Sequence, residues 1–151
     1  GDFDNDGRLD FVLTGITNAA TLQSVSQLWR NTGNGFTNVP IVGLPGAYNS
    51  SVAWGDYDND GRLDFLLTGQ TTSSLISQLW RNTGNGFTNV PIAGLPPVRI
   101  SSVAWGDYDN DGRLDFLLTG AGTGTAGGLH ADQLGFGNIP RTVQVTVTKR
   151  F

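Results

Sequence analysis

The stretch that decides the fold is SSVAWGDYDNDGRLDFLLTG, residues 101–120, which stands unchanged at residues 50–69. At its centre lies a nine-residue loop, D-x-D-x-D-G-x-x-D, formed by Asp107, Asp109, Asp111, Gly112 and Asp115. The loop recurs as Asp56, Asp58, Asp60, Gly61 and Asp64, and a third copy opens the chain as Asp2, Asp4, Asp6, Gly7 and Asp10. Four carboxylates within nine residues repel one another, and a bound cation is the simplest compensator. Asp and Gly also make ordinary turns, but a turn needs only one or two of them. Here twelve of the thirteen acidic residues lie in the three loops; the other is Asp132.

The spacing narrows the cation. Alternate side chains of a curled loop point inward, so the first three aspartates converge on one centre. The glycine then permits a backbone turn that brings in the carbonyl of Arg8, Arg62 or Arg113 and the carboxylate of the ninth residue. Such a flexible, all-oxygen, strongly negative site suits Ca²⁺ before Mg²⁺ or a transition metal. An EF-hand loop begins alike but requires a bidentate Glu at its twelfth position. That position holds Leu13, Leu67 and Leu118 here, and the chain contains no Glu. Each loop is instead followed by a short apolar run, such as Phe116–Thr119, so strands rather than helices flank it.

A chain of 151 residues is long enough for one domain with a buried core. Its formal net charge of −4 would become +2 with three divalent cations bound, so the acidity reports the loops rather than an acidic surface. No basic stripe marks a nucleic-acid partner, and no apolar run reaches membrane-spanning length. Cysteine is absent, which excludes disulfides and thiolate metal sites. Methionine is absent too and the sequence starts at Gly1, which reads as a processed mature chain or a fragment.

Between the loops, SQLWRNTGNGFTNVPI at residues 26–41 recurs unchanged at 77–92. The pattern predicts a strand over 9–15, a polar loop over 16–25, a strand over 27–31, a hairpin turn at Asn34-Gly35 and a returning strand over 36–39 that Pro40 ends. Gly43, Leu44, Pro45 and Gly46 then connect to the next unit, whose first strand covers 51–54. The repeat offset is 51 residues from Ser50 to Ser101 but 54 from Asp2 to Asp56, because the first polar loop is three residues longer than residues 70–76. Repeat arrays tolerate insertions in loops.

No segment has a sustained helical period, and four short antiparallel strands per roughly fifty residues is the signature of a β-propeller blade. The expected fold is therefore all-β, with about three blades: residues 1–49, lacking a first strand, residues 50–100, and residues 101–151 with a divergent end. Trp29, Trp54, Trp80 and Trp105 are expected in the core between blades rather than on a ligand, since stacked repeats bury large aromatics at fixed positions. Arg30 and Arg81 are expected to be solvated or to pin the loops. After Gly120 the third repeat becomes glycine-rich and loses its SQLWRN stretch; after Pro140, Val143, Val145 and Val147 alternate with polar residues as in a strand. His130, the single histidine, reads as a loop residue.

The loops, with the Leu-Trp-Arg-Asn and Gly-Asn-Gly-Phe stretches between them, resemble the FG-GAP repeats of integrin alpha-subunit propellers and the related VCBS repeats of secreted bacterial and fungal proteins. The resemblance covers roughly residues 1–120 and implies a calcium-stabilised β-propeller whose loop joins the first two strands of each blade. It implies three Ca²⁺ sites with side-chain ligands Asp2, Asp4, Asp6 and Asp10; Asp56, Asp58, Asp60 and Asp64; and Asp107, Asp109, Asp111 and Asp115. Arg8, Arg62 and Arg113 would supply backbone carbonyls. Family propellers usually close with about seven blades, so three imply a partial propeller or part of an oligomeric ring or fibre. Leu134-Gly135-Phe136-Gly137 is faintly similar to the ASPIC/UnbV module that follows some of these propellers.

No catalytic constellation is visible: the chain lacks a Cys nucleophile, and each carboxylate pair is accounted for as a calcium ligand. Two functions are expected. One is calcium-dependent extracellular or secreted recognition or adhesion, with a protein or glycan ligand at variable connectors. The other is a structural subunit whose incomplete blades are completed by self-association or by further blades. Asn49-Ser50-Ser51 is a glycosylation sequon.

Overall fold

The computed structural model describes residues 1–122 and 142–145. It is all-β: the described residues contain no helix, so none that could cross a membrane. In chain order the strands are β1 (Phe11–Asn18), β2 (Gln23–Asn31), β3 (Phe36–Val39), β4 (Tyr48–Gly55), β5 (Asp64–Gln70), β6 (Leu75–Asn82), β7 (Phe87–Val90), β8 (Arg99–Gly106), β9 (Asp115–Ala121) and β10 (Thr142–Val145). They form three sheets, β1-β2-β3, β4-β5-β6-β7 and β10-β9-β8, as partial propeller blades, with no closed barrel.

The middle sheet is the repeat in full. Its four strands pair antiparallel in sequence order, and the DYDNDGRL loop joins β4 to β5. Pairing Trp54 with Phe65 and Gly55 with Asp64 places both loop ends side by side, so the loop must curl back on itself. In the first sheet the loop leads into β1, which pairs with β2 as β5 does with β6.

Strand alternation in β5 sends side chains to both faces, and both faces are covered. On the side of the first blade, Phe65, Leu67, Ile76 and Trp80 bury with Ala47, against Ile41, Leu44 and Trp54. Facing the third blade, Leu66 and Leu79 bury with Val98, Phe116 and Leu118, against Trp105. The Pro-containing connectors are thus part of the core. Gly46 shows how closely they approach: a Cβ there would lie 2.1 Å from the carbonyl oxygen of Ser24.

Three tryptophans serve this packing; Trp29, expected there too, lies in neither core and stacks 6.4 Å from Phe11 of its own sheet, itself 39% exposed, because no described blade covers that face. Trp80 is buried, stacked 6.3 Å from Phe65, while Trp54 meets Phe65 edge-on at 5.3 Å. Trp105 repeats the edge-on contact with Phe116 at 5.3 Å, and its indole N–H donates to the Ala53 carbonyl of the preceding blade at 3.0 Å.

Several sequence expectations need correction. The stretch read as a polar loop over 16–25 is mostly strand, since β1 runs to Asn18 and β2 starts at Gln23, and the one over 70–76 shrinks to a turn at residues 71–74 between β5 and β6. Asn18, Gln23, Ser24 and Gln70 pair in the ladder despite their polarity, because one sheet face needs no apolar side chain. β1 begins at Phe11, since Leu9 is exposed and Asp10 is drawn into the loop. The hairpin is a four-residue loop, residues 32–35, rather than a two-residue Asn-Gly turn. Gly33 takes the left-handed conformation (φ 83°) while the Asn31 side chain accepts its N–H at 2.9 Å.

The late strand predicted from the valine alternation exists as β10, but it runs parallel to β9, pairing Val143 with Leu117. In the other two blades the strand beside this position is antiparallel, so the third sheet departs from the four-strand antiparallel pattern. His130, Asp132 and residues 134–137 lie outside the described residues.

Candidate metal centre

Each aspartate loop is built by its own carboxylates. The first aspartate accepts two backbone N–H bonds from across the loop: Asp56 from Asp60 at 3.0 Å and Gly61 at 2.8 Å. Asp2 and Asp107 do the same with Asp6 and Gly7, and with Asp111 and Gly112. The fifth residue accepts the N–H two positions on, from Arg8, Arg62 or Arg113, at 3.0, 3.0 and 2.9 Å. This curl requires left-handed backbone at Asn5, Asn59 and Asn110 (φ 58°, 56° and 57°), and asparagine tolerates that conformation well.

The ninth aspartate closes the loop and ties it to the sheet. Asp64, fully buried, accepts N–H bonds from Tyr57 at 3.1 Å and from Asn82 on β6 at 2.7 Å. Asp10 receives the corresponding bonds from Phe3 at 3.1 Å and Asn31 at 2.8 Å, and Asp115 receives that of Tyr108 at 2.9 Å. Burial pushes the Asp64 carboxyl up to about 6; the two N–H bonds oppose the shift, and Asp58 and Asp60 add to it.

Carboxylate oxygens within 4.8 Å of one another gather Asp2, Asp4 and Asp6 in the first loop, Asp56, Asp58 and Asp64 in the second, and Asp107, Asp109 and Asp115 in the third. Three aspartate clusters therefore have the geometry to hold a metal ion. The donor set fits a hard cation: it is all-oxygen, anionic and free of sulfur or imidazole. Of the twelve expected side chains, Asp10, Asp60 and Asp111 fall outside these groups of three, although the loops share one hydrogen-bond pattern. Asp60 and Asp111 turn toward arginine, and Asp10 toward the backbone.

Arginines compensate part of the charge. Arg30 on β2 reaches Asp4 at 2.6 Å and Asp6 at 3.2 Å, and Arg81 on β6 reaches Asp58 at 2.6 Å and Asp60 at 3.3 Å. They pin the loops, as one of the two expectations for them held. Arg8 and Arg62 pair with Asp6 and Asp60 and donate through Nε to the carbonyls of Asn31 at 2.8 Å and Asn82 at 3.1 Å; Arg113 pairs with Asp111 at 2.7 Å. The Asp4 carboxyl is raised by desolvation, against the pull of Arg30 and with the push of Asp6, Asp10 and Asp2. Asp6 is also desolvated, yet its bonds from Arg30 and Arg8 hold it below the usual range.

Sequence reasoning missed the asparagines. The Asn5 amide donates to the Gly61 carbonyl of the second loop at 3.0 Å, and Asn59 donates to that of Gly112 in the third at 2.9 Å. Asn82 donates to the Phe3 carbonyl of the first loop at 2.8 Å. The available signal was the unvarying D-N-D core of all three loops.

Beside the first loop a cleft of about 430 Å³ opens between the first and second blades, lined by Phe3, Asn5, Arg30, Arg62, Asn85 and Phe87 among others.

No curated protein and no solved structure matches this chain. An FG-GAP-like repeat does, over residues 2–67 and again over 68–118. The first matched segment contains two aspartate loops and the second contains one, each with strands it joins or feeds, and together they take in most of the sequence: the chain belongs to the FG-GAP-like repeat family.

Proposed function

We propose that this chain is a calcium-binding repeat scaffold for extracellular recognition or adhesion, without enzymatic activity of its own. The observation that carries the reading is the threefold repetition of one all-oxygen aspartate cluster at the same place in successive blades. Similar sites repeated along an array suit a structural ion better than a catalytic centre. Ca²⁺ would be held by the loop aspartates and, through their carbonyls, Arg8, Arg62 and Arg113. It would supply positive charge against the like-charge repulsion within each loop.

The extracellular assignment rests on calcium supply, because extracellular modules work with sites as weak as about 10⁻⁴–10⁻³ M. For the ligand, the cleft between the first two blades combines aromatic rings with arginine and amide groups, a mixture suited to a glycan. The test is a glycan array probed with Ca²⁺ and again with EDTA. Binding that disappears on chelation supports the reading; no binding overturns the glycan ligand, and binding indifferent to EDTA overturns its dependence on calcium.

A second reading, assembly through the outer blades, is favoured by exposed apolar side chains there. Leu9, Phe11 and Leu13 of the first blade are 73%, 39% and 47% exposed, and Leu117 of the third is 42% exposed. Contact with neighbouring copies would cover such surfaces. Light scattering decides: a mass well above 16.0 kDa supports assembly, and a monomer refutes it.

A further inference from the structure

We infer that the metal loops of neighbouring blades bind their cations cooperatively, and that Asn5 and Asn59 are the residues that couple them. The inference rests on the cation-binding reading above and adds to it how the sites communicate.

Asn5 lies between the clustered carboxylates of Asp4 and Asp6. Its backbone is held left-handed by the curl of its own loop, and its side-chain amide crosses to the next blade to reach Gly61 at 3.0 Å. Gly61 is itself left-handed (φ 82°) and is the residue whose N–H Asp56 binds, so its carbonyl direction depends on how the second loop is curled. The contact is repeated in the same register from Asn59 to Gly112 at 2.9 Å. Two occurrences between chemically identical partners make this a built feature of the blade junction.

Asn82 reinforces the first junction. Its backbone N–H binds Asp64 of the second cluster while its amide binds the Phe3 carbonyl, between Asp2 and Asp4 of the first. It also approaches the Leu63 carbonyl at 3.4 Å and is 4% exposed. A cation that draws in the second-loop carboxylates therefore sets Asp64, hence Asn82, hence the backbone between two first-loop ligands. The energy of ordering one loop is partly met when its neighbour is already ordered, which is positive coupling.

The third loop supplies an internal control. Asn110 has the same neighbours in sequence and the same left-handed backbone, yet among the described residues no carbonyl of another loop accepts its amide. Replacement by glycine retains the left-handed backbone and removes only the amide.

The test is calorimetric titration of Ca²⁺ into the whole chain and its N5G, N59G and N110G variants, with melting of each in EDTA. The expected result is a Hill coefficient above 1 for the parent chain. N5G and N59G should flatten the isotherm and weaken midpoint affinity about five-fold, the low end of typical coupling. N110G should leave the steepness unchanged. A parent Hill coefficient of 1, or equal effects from all three variants, overturns the coupling while leaving the cation sites intact. No heat and no bound Ca²⁺ by equilibrium dialysis would instead remove the cation reading and the coupling with it. Should N5G fail to melt cooperatively in EDTA, N59G against N110G decides alone.

Discussion

Strands β5 and β9 carry one sequence, DFLLTG, in two environments, and they differ where it matters. Leu66 of β5 is completely buried against the third blade, whereas Leu117, its equivalent on β9, is 42% exposed. Phe65 and Phe116 face the preceding blade and are both buried. Since the residues are the same, burial on the following side belongs to the neighbour and not to the strand. A blade in this array is half a core, completed by the next one, as in other repeat architectures.

The strongest way to break that comparison is to truncate both leucines. Leu66→Ala should destabilise the chain by about 2–5 kcal/mol, the range for buried leucines, and Leu117→Ala by about 1 kcal/mol or less. Chemical denaturation with a common m-value measures both; equal losses would mean that Leu117 is covered in solution. Removing the cation tests the loops instead. If each site is filled at a hundred times its dissociation constant, EDTA should cost about 2.7 kcal/mol per site, seen as a lower melting temperature. An unchanged melt rules out structural calcium.

A pH series sharpens the loop comparison. The Asp64 carboxyl is raised in the folded chain to about 6 from 3.8, so the cation-free fold binds this proton more tightly than the unfolded chain does. Its stabilising contribution is full below about 4 and is lost as pH rises through 6. In EDTA, melting temperature should therefore rise from pH 7 to pH 5, and Asp64→Asn should diminish the rise. With Ca²⁺ present the same proton competes with the ion, so affinity should fall over that interval.

The smallest effect concerns the bulges that open β4 and β8. Asn49 and Ile100 occupy equivalent positions, both left-handed (φ 47° and 49°), where the ladder slips before Ser51 and Ser102. Asparagine accepts this conformation; a β-branched residue is strained there. Ile100→Asn should stabilise by about 1 kcal/mol, read as a small rise in melting temperature. No gain would mean that the exposed isoleucine makes compensating contacts in solution.

Much of this was legible from residues alone. The D-x-D-x-D-G-x-x-D spacing located all three loops, because ligand geometry and the glycine turn are local. The strand after each loop was evident in the apolar run that followed it. Strand ends over 16–25 and 70–76 were not legible, since Thr, Ser and Gln accept either ladder or loop and the partner strand makes the choice. The parallel course of β10 was equally hidden, because alternation reports a strand's faces and not its direction.

Sequence by itself determined the repeat, its period, the all-β character, the acidic loops and membership of a repeat family, all of which follow from short-range patterns of charge, turn residues and alternation. Tertiary structure alone decided which of two identical leucines is buried, that Arg30 and Arg81 lie on the loop carboxylates, and that Asn5 and Asn59 join one loop to the next. The physical reason is distance along the chain: those contacts link residues 20 to 60 positions apart, and only the stacking of whole sheets brings their short-range groups within reach.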